Sequence, residues 1–171
     1  MVNVTPASKL VIRNATPEDI PLIRDLTHKI WPQTYAAILT NEQINYMLEL
    51  LYSESSLIKQ MNEHHRFLIV YDEITPAGFA SYSEIDHGIF KLHKIYLLPD
   101  QQGKGTGRFL LDYIITIILQ HDAKLLRLNV NRHNKAKDFY ERLGFTLIKE
   151  EEVNIGNGYF MNDYVMEKKL G

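Results

Sequence analysis

The feature that most restricts the fold is the stretch "QQGKGTG", residues 101–107. It places three glycines in five positions between the strand-like run "IYLLPD" and the apolar run "RFLLDYIITIILQ". Glycine inside a regular element is destabilising, so a cluster at such a joint marks a tight turn or a close approach of backbone to a ligand. A strand, a glycine loop and a helix N-terminus in succession point to an α/β domain. Successive N–H groups in such a loop face one concavity, and the helix dipole adds favourable partial charge for an anion. Lys104 and Arg108 supplement that charge. Two phosphate loops are excluded. Gly103–Lys104 is followed by Gly105, and no glycine stands five residues earlier, so the Walker pattern fails. In the dinucleotide pattern Arg108 occupies the last glycine position, and "LLRLNV" carries no acid for a ribose.

The rest of the chain alternates between the two periods. "KLVIRNA" reads as a first strand, and "TPEDI" as a helix start with Thr16 capping, Pro17 at the first position and Glu18 and Asp19 complementing the dipole. Ile20, Ile23, Leu26 and Ile30 continue one apolar face until "WPQTY", which is expected to break the helix. "TNEQINYMLELLY" and "SESSLIKQM" follow as short helices capped by Thr40 and Ser53. Three strands come next, "RFLIVYD", "AGFASYSEI" and "GIFKLHKIYLLP". After the glycine cluster stand a helix over 106–120, the strand "LLRLNV", and the helix "NKAKDFYERL" stopped by Gly144. "FTLIKEEEV" and "YFMNDYVMEKKL" form a hairpin around "NIGNG". The expected architecture is a single α/β domain over residues 1–171, with an ordered core at about 10–169 and a mixed central sheet flanked by helices.

Composition removes several functions. The net charge of −2 supplies no basic field for nucleic acid. The absence of cysteine excludes disulfides, thiol nucleophiles and zinc–thiolate sites. The seven histidines include His64–His65 but lack ligand spacing with carboxylates, so no metal is expected. "FLLDYIITIILQ" is too short to span a bilayer and carries Asp112, and the N-terminus has no signal-peptide pattern. A cytoplasmic protein with no membrane partner is expected; a homodimer is left open.

Written from Gln102, the cluster reads Q-x-x-G-x-G, and "NVNRHNKAKDFYERLGF" further on contains A-x-x-F-Y-x-x-x-G-F. Together these resemble the acyl-CoA binding segments of the GNAT acyltransferase superfamily. The resemblance covers residues 88–147 by motif and nearly the whole chain by strand order. It implies acetyl-CoA as cosubstrate, with its pyrophosphate cradled by Gln102, Gly103, Lys104, Gly105, Thr106, Gly107 and Arg108. It implies that backbone at Ile95, Tyr96 and Leu97 holds the pantetheine arm. The cofactor-contacting asparagine is Asn131 or Asn134, with His133 at the position many relatives give to asparagine. The resemblance also places Tyr140 beside the thioester sulfur. "WPQTYAAIL" and "GNGYFMNDYVMEKKL" resemble a bacterial subgroup that includes polyamine acetyltransferases.

The implied reaction is direct transfer of acetyl to a primary amine in a ternary complex. Such an amine is neutral about one time in two to three thousand at pH 7, an obstacle of about 4.6 kcal/mol that a base removes. His93 stands where relatives commonly carry a glutamate, and a histidine of ordinary pKa is a competent base. Glu84 is the next candidate, Tyr140 the expected acid, and Tyr35 a substrate-orienting side chain. Glu150, Glu151 and Glu152 would attract a cationic amine, although charge runs are most often solvated. A small amine or polyamine is the favoured acceptor. A protein N-terminus or lysine, and a silent CoA-binding module on the same fold, are the alternatives.

Overall fold

The structure is a computed structural model and describes residues 9–171. Every β-branched or aromatic run named above forms a strand: β1 Leu10–Asn14, β2 Arg66–Asp72, β3 Thr75–Asp86, β4 Ile89–Leu97, β5 Leu125–Asn131, β6 Thr146–Gly156 and β7 Tyr159–Lys169. They build one seven-stranded sheet in the order β1-β2-β3-β4-β5-β7-β6. Only the β4/β5 pair is parallel, which makes the sheet mixed, as expected. The turn between β6 and β7 has positive φ at Asn157 and Gly158, the residues a two-residue hairpin turn favours.

Helices cover both faces. α1 Ile20–Tyr35, α2 Asn41–Tyr52 and α3 Glu54–Asn62 pack on one side, where Ile23, Ile30, Trp31, Tyr52 and Leu57 meet Phe67 and Phe79. α4 Thr106–Leu119 and α5 Ala136–Arg142 pack on the other. There Leu110, Leu111, Ile114 and Ile118 recur at helical spacing and bury against Leu92, Leu126 and Leu128. Each such side chain contributes about 1.5–3 kcal/mol. Thr40 and Ser53 cap α2 and α3 through their hydroxyls. Gly144, at φ 93°, ends the α5 segment. Among the described residues no helix is long and apolar enough to cross a membrane.

Two helix boundaries differ from expectation. Thr16–Pro17 opens a single 3-10 turn, Pro17–Asp19, and the α-helix begins only at Ile20. Asp19 accepts a hydrogen bond from the Thr16 amide at 2.8 Å and pairs with Arg13 at 2.9 Å. The second difference is a correction: "WPQTY" does not break α1, which runs through Pro32 to Tyr35. Pro32 removes the donor to the His28 carbonyl, but both residues are exposed, so water can satisfy that carbonyl. Trp31 and Tyr35 on the opposite side are buried with ring centroids 4.7 Å apart, and this packing holds the last turn in place.

One irregularity opens the sheet. β4 and β5 pair only from Ile89/Leu125 to Leu92/Leu128. On the other edge of β4, Tyr82 pairs with Leu92 and Ser81 with Lys94, which leaves His93 as the extra residue of a bulge. Period-two alternation would put Leu92 and Lys94 on one face. The bulge separates them: Leu92 stays in the α4 layer, while Lys94 reaches over the Tyr52 ring in the α1–α3 layer. Beyond Leu92 the two parallel strands part, and a cleft enters between them.

Candidate active site

The cleft has a volume of about 1440 Å³ and runs from the glycine loop, past the freed edge of β4, to the face covered by α1 and α2. At the loop end, Gly103 and Gly105 take positive φ of 78° and 82°, and Gly105 is the N-cap of α4. None of the amides from Gly103 to Arg108 makes a well-formed hydrogen bond to another group among the described residues. Gln102, Gly103, Gly105, Gly107 and Arg108 line the cleft. Two of the loop's residues, Thr106 and Lys104, do not line the cleft. The Thr106 hydroxyl is buried and donates to Gln101 Oε1 at 3.2 Å, which in turn ties to Asp72, so only its amide is available to a ligand. Lys104 is exposed and does not line the cleft.

Ile95, Tyr96 and Leu97 pair with Ala80, Phe79 and Gly78 on one edge, and no β5 residue pairs with their other edge. Extended backbone there can bind an extended ligand as a further strand would. Asn131, His133 and Asn134 all line the cleft, so the structure brings the three candidates together. Asn131 Oδ1 accepts from the His133 amide and Asn134 Oδ1 from the Ala136 amide, both at 2.9 Å, so the Asn131 NH₂ is left for other partners while the Asn134 NH₂ faces the Tyr35 hydroxyl.

Tyr140 is held by edge contacts to Phe139 and Phe145, with centroids 5.4 and 5.7 Å away. It lines the cleft and is buried, and no group among the described residues hydrogen-bonds its hydroxyl. Burial, with Tyr35 nearby, holds its pKa well above that of a free phenol, so the proton stays on. Tyr35 is also buried in the cleft wall, its hydroxyl 3.1 Å from that of Tyr96.

The two expected bases fare differently. Glu84 is exposed, does not line the cleft, and accepts a hydrogen bond from the Gly88 amide at 3.0 Å, so it closes the β3–β4 turn. His93 does line the cleft, but its Nε2 lies 2.6 Å from the Ser83 hydroxyl and its ring stacks on His65 at 4.0 Å. Burial first, then His65, Lys91 and Lys94, lower its pKa to about 3. The ordinary basicity assumed from sequence is therefore corrected. A base whose conjugate acid is that strong is a poor acceptor for an ammonium proton. What His93 does is titrate stability. Its folded pKa lies below the unfolded 6.5, so its contribution is complete above about 6.5 and is lost as pH falls toward 3. His93→Gln is expected to flatten the acid-side loss of stability by up to about 1.4 kcal/mol per pH unit, read from denaturation midpoints between pH 7 and 4. Unchanged slopes would show that His93 titrates normally.

Two groups not singled out from sequence face the same cleft. Asp163 on β7 is buried, and Asn129 bridges it to Glu151, donating at 3.3 Å and 2.9 Å respectively. Burial raises the Asp163 pKa, Asn129 opposes that shift, and Glu151 reinforces it. Glu151 is thus the one member of the acidic run that lines the cleft; Glu150 pairs with Arg132 at 3.8 Å and Glu152 is exposed. Lys94 is only 9% exposed.

A family model described as "Acetyltransferase (GNAT) domain" matches residues 35–168. The chain belongs to the GNAT acetyltransferases. Among its relatives, the spermidine N(1)-acetyltransferase of Thermoplasma acidophilum is 29% identical over 164 residues, covering 92% of this chain and 96% of that one. The ribosomal protein bS18-alanine N-acetyltransferase of Haemophilus influenzae is 35% identical over 69 residues, 40% of this chain and 44% of that one. The crystal structure of PaiA N-acetyltransferase from T. acidophilum in complex with coenzyme A superimposes with a TM-score of 0.79 at 27% identity, covering 95% and 99% of the chains.

In this GNAT chain the loop, the β4 edge and Tyr140 carry motif signals, whereas Asp163 carries a subtler one and Lys94 none. Met161, Asp163 and Val165 alternate onto one face of β7, and an acid between two apolar neighbours on a buried face is a signal in itself. Lys94 had no such mark. Plain alternation from Leu92 assigns it to the wrong face, and only the bulge corrects this.

Proposed function

We propose that this GNAT protein transfers the acetyl group of acetyl-CoA to a primary amine by direct attack in a ternary complex, with a small amine or polyamine as acceptor. The observation that carries the reading is the parted β4/β5 edge, with unpaired amides at one end and a buried acid, Asp163, in the wall at the other. The named activity of the spermidine-acetylating relative supports the choice of acceptor class.

The residues present suit the cosubstrate. Amides from Gly103 to Arg108, with the α4 dipole behind them, are anion donors without protein acceptors, and Arg108 adds charge. Backbone at Ile95–Leu97 and the NH₂ of Asn131 or Asn134 would take the amide-rich arm. Acetyl-CoA supplies the activated acetyl thioester. At the other end, Asp163 attracts the acceptor's ammonium and takes its proton, directly or through water, so that nitrogen can bond to the acetyl carbon. A freed N–H of the β4 edge donates to the oxygen on which charge develops. As the carbon–sulfur bond breaks, Tyr140 donates to the sulfur, which leaves as a thiol.

Gly105→Val tests the cradle. A Cβ at Gly105 meets nothing within 4 Å, so the cost to the free protein is backbone strain at φ 82°, about 1–3 kcal/mol. The added branches would stand in the open space beside a residue that lines the cleft. Affinity for acetyl-CoA should fall at least about tenfold by calorimetry while the variant remains folded. A folded variant with unchanged affinity removes the loop assignment.

The reaction is tested by incubating the purified protein with acetyl-CoA and a panel of polyamines, amino acids, aminoglycosides and peptides. Thiol release and product mass are followed. Stoichiometric thiol and acetylated amine are expected. Tight acetyl-CoA binding with no thiol release from any acceptor would make the protein a CoA-binding module. Transfer confined to peptides would make it a protein acetyltransferase.

A further inference from the structure

Lys94 is a buried cation with no anion. Its side chain lines the acceptor half of the cleft, and Nζ sits 5.0 Å from the Tyr52 ring centroid. Among the described residues no carboxylate lies within ion-pair distance of it, and it makes no hydrogen bond. Burial, followed by the like charge of Lys91, lowers its pKa to about 8, and no acid acts in the opposite sense. At neutral pH it is still mostly protonated. A ring face under an ammonium offsets part of the desolvation, but a charge this buried is ordinarily paired.

Beside it, Trp31 packs edge-on against the same Tyr52 ring, with centroids 5.4 Å apart. Its Nε1–H is sealed from the cleft and directed at the Tyr52 hydroxyl, so the indole fixes the ring over which Lys94 sits. An ammonium can only donate. A buried donor that lines the cleft and lacks an acceptor describes a site for an anion. The acceptor half therefore has an acidic wall at Glu151–Asn129–Asp163 and a cationic one at Lys94, all of them lining one cleft.

We infer that the acceptor carries a carboxylate as well as an amine, the carboxylate taken by the Lys94 ammonium. This rests on the acetyl-transfer reading and narrows it. A polyamine would set a second ammonium against Lys94, whereas an amino carboxylate meets a complementary charge at both ends.

Binding is tested apart from turnover. Calorimetric titration of 5-aminopentanoate and of pentylamine into the CoA-loaded protein compares two ligands that differ by the carboxylate. The amino acid should bind at least about tenfold more tightly, and Lys94→Met should abolish the difference. Met has similar length and removes a buried charge, so folding should survive. Lys94→Gln, which loses the charge but keeps a hydrogen-bond donor, should lose most of the preference and guards against a Lys94→Met variant that fails to fold. Equal binding of both ligands, tighter binding of 1,5-diaminopentane, or a preference untouched in both variants overturns the inference. Turnover is then compared for ornithine and putrescine, a pair differing by one carboxylate, with ornithine favoured. Lys94-dependent carboxylate binding without acetylation of any acceptor would overturn the acetyl-transfer reading while sustaining the subsite.

Discussion

Tyr140→Phe is expected to lower kcat and kcat/KM together by about 10²–10⁴-fold, the range for loss of one positioned acid. The substitution keeps the ring that packs edge-on against Phe139 and Phe145, and removes a hydroxyl that no group among the described residues bonds. Stability and acetyl-CoA affinity should therefore change little. What is lost is a hydrogen bond that strengthens as charge collects on the departing sulfur, and a loss confined to the transition state appears equally in both constants. Burial holds the phenol protonated across the working pH range, so the rate should show no basic limb from Tyr140. Acyl donors whose thiol is a better leaving group need less protonation, and with them the deficit should shrink. A variant with normal kcat and a raised KM for acetyl-CoA would make Tyr140 a binding residue.

The division between what sequence reveals and what only the fold reveals follows contact distance along the chain. Strands declare themselves through period-two alternation and helices through apolar spacing, both local. Thr40, Ser53, Gly144 and the Asn157–Gly158 turn act on their own neighbours, and all four behave as their residue types dictate. The glycine loop is legible for the same reason: its free amides belong to consecutive residues. Pro32 is local too, yet misleading, because the packing of Trp31 and Tyr35 outweighs one missing donor that faces water. His93 fails differently. Its basicity is set first by burial, then by His65 just before β2 and by Lys91 and Lys94 around a bulge, none of which its own segment announces in full. Glu84 lies on the strand paired with β4, but an irregular register after it turns the end of β3 toward solvent. The acidic run illustrates both sides. Alternation along β6 sends Glu151 inward and Glu150 and Glu152 outward, so a run read as one patch divides into separate roles.

Asp163→Asn should be as damaging as loss of Tyr140, and its signature lies in pH. If Asp163 anchors the ammonium and takes its proton, the variant loses about 10²–10⁴-fold in kcat/KM for the amine, with KM for acetyl-CoA unchanged. Burial raises the carboxyl's pKa, so the wild-type acid limb should stand above the ordinary carboxylate range. Below that limb Asp163 is protonated and can neither attract an ammonium nor accept its proton. In the variant this limb disappears, and the rate should simply climb with pH as free amine becomes more abundant. Stability separates this from misfolding. With the folded pKa above the unfolded 3.8, the native state holds the proton more tightly, so wild-type stability falls as pH rises between those two values and stays lower above them. Asparagine keeps the size of the side chain and carries no charge to desolvate, so Asp163→Asn should be at least as stable as wild type at pH 7 and should lack that decline. A stable variant retaining both full activity and the acid limb would remove Asp163 from the reaction and return the search for a base to water held elsewhere in the cleft.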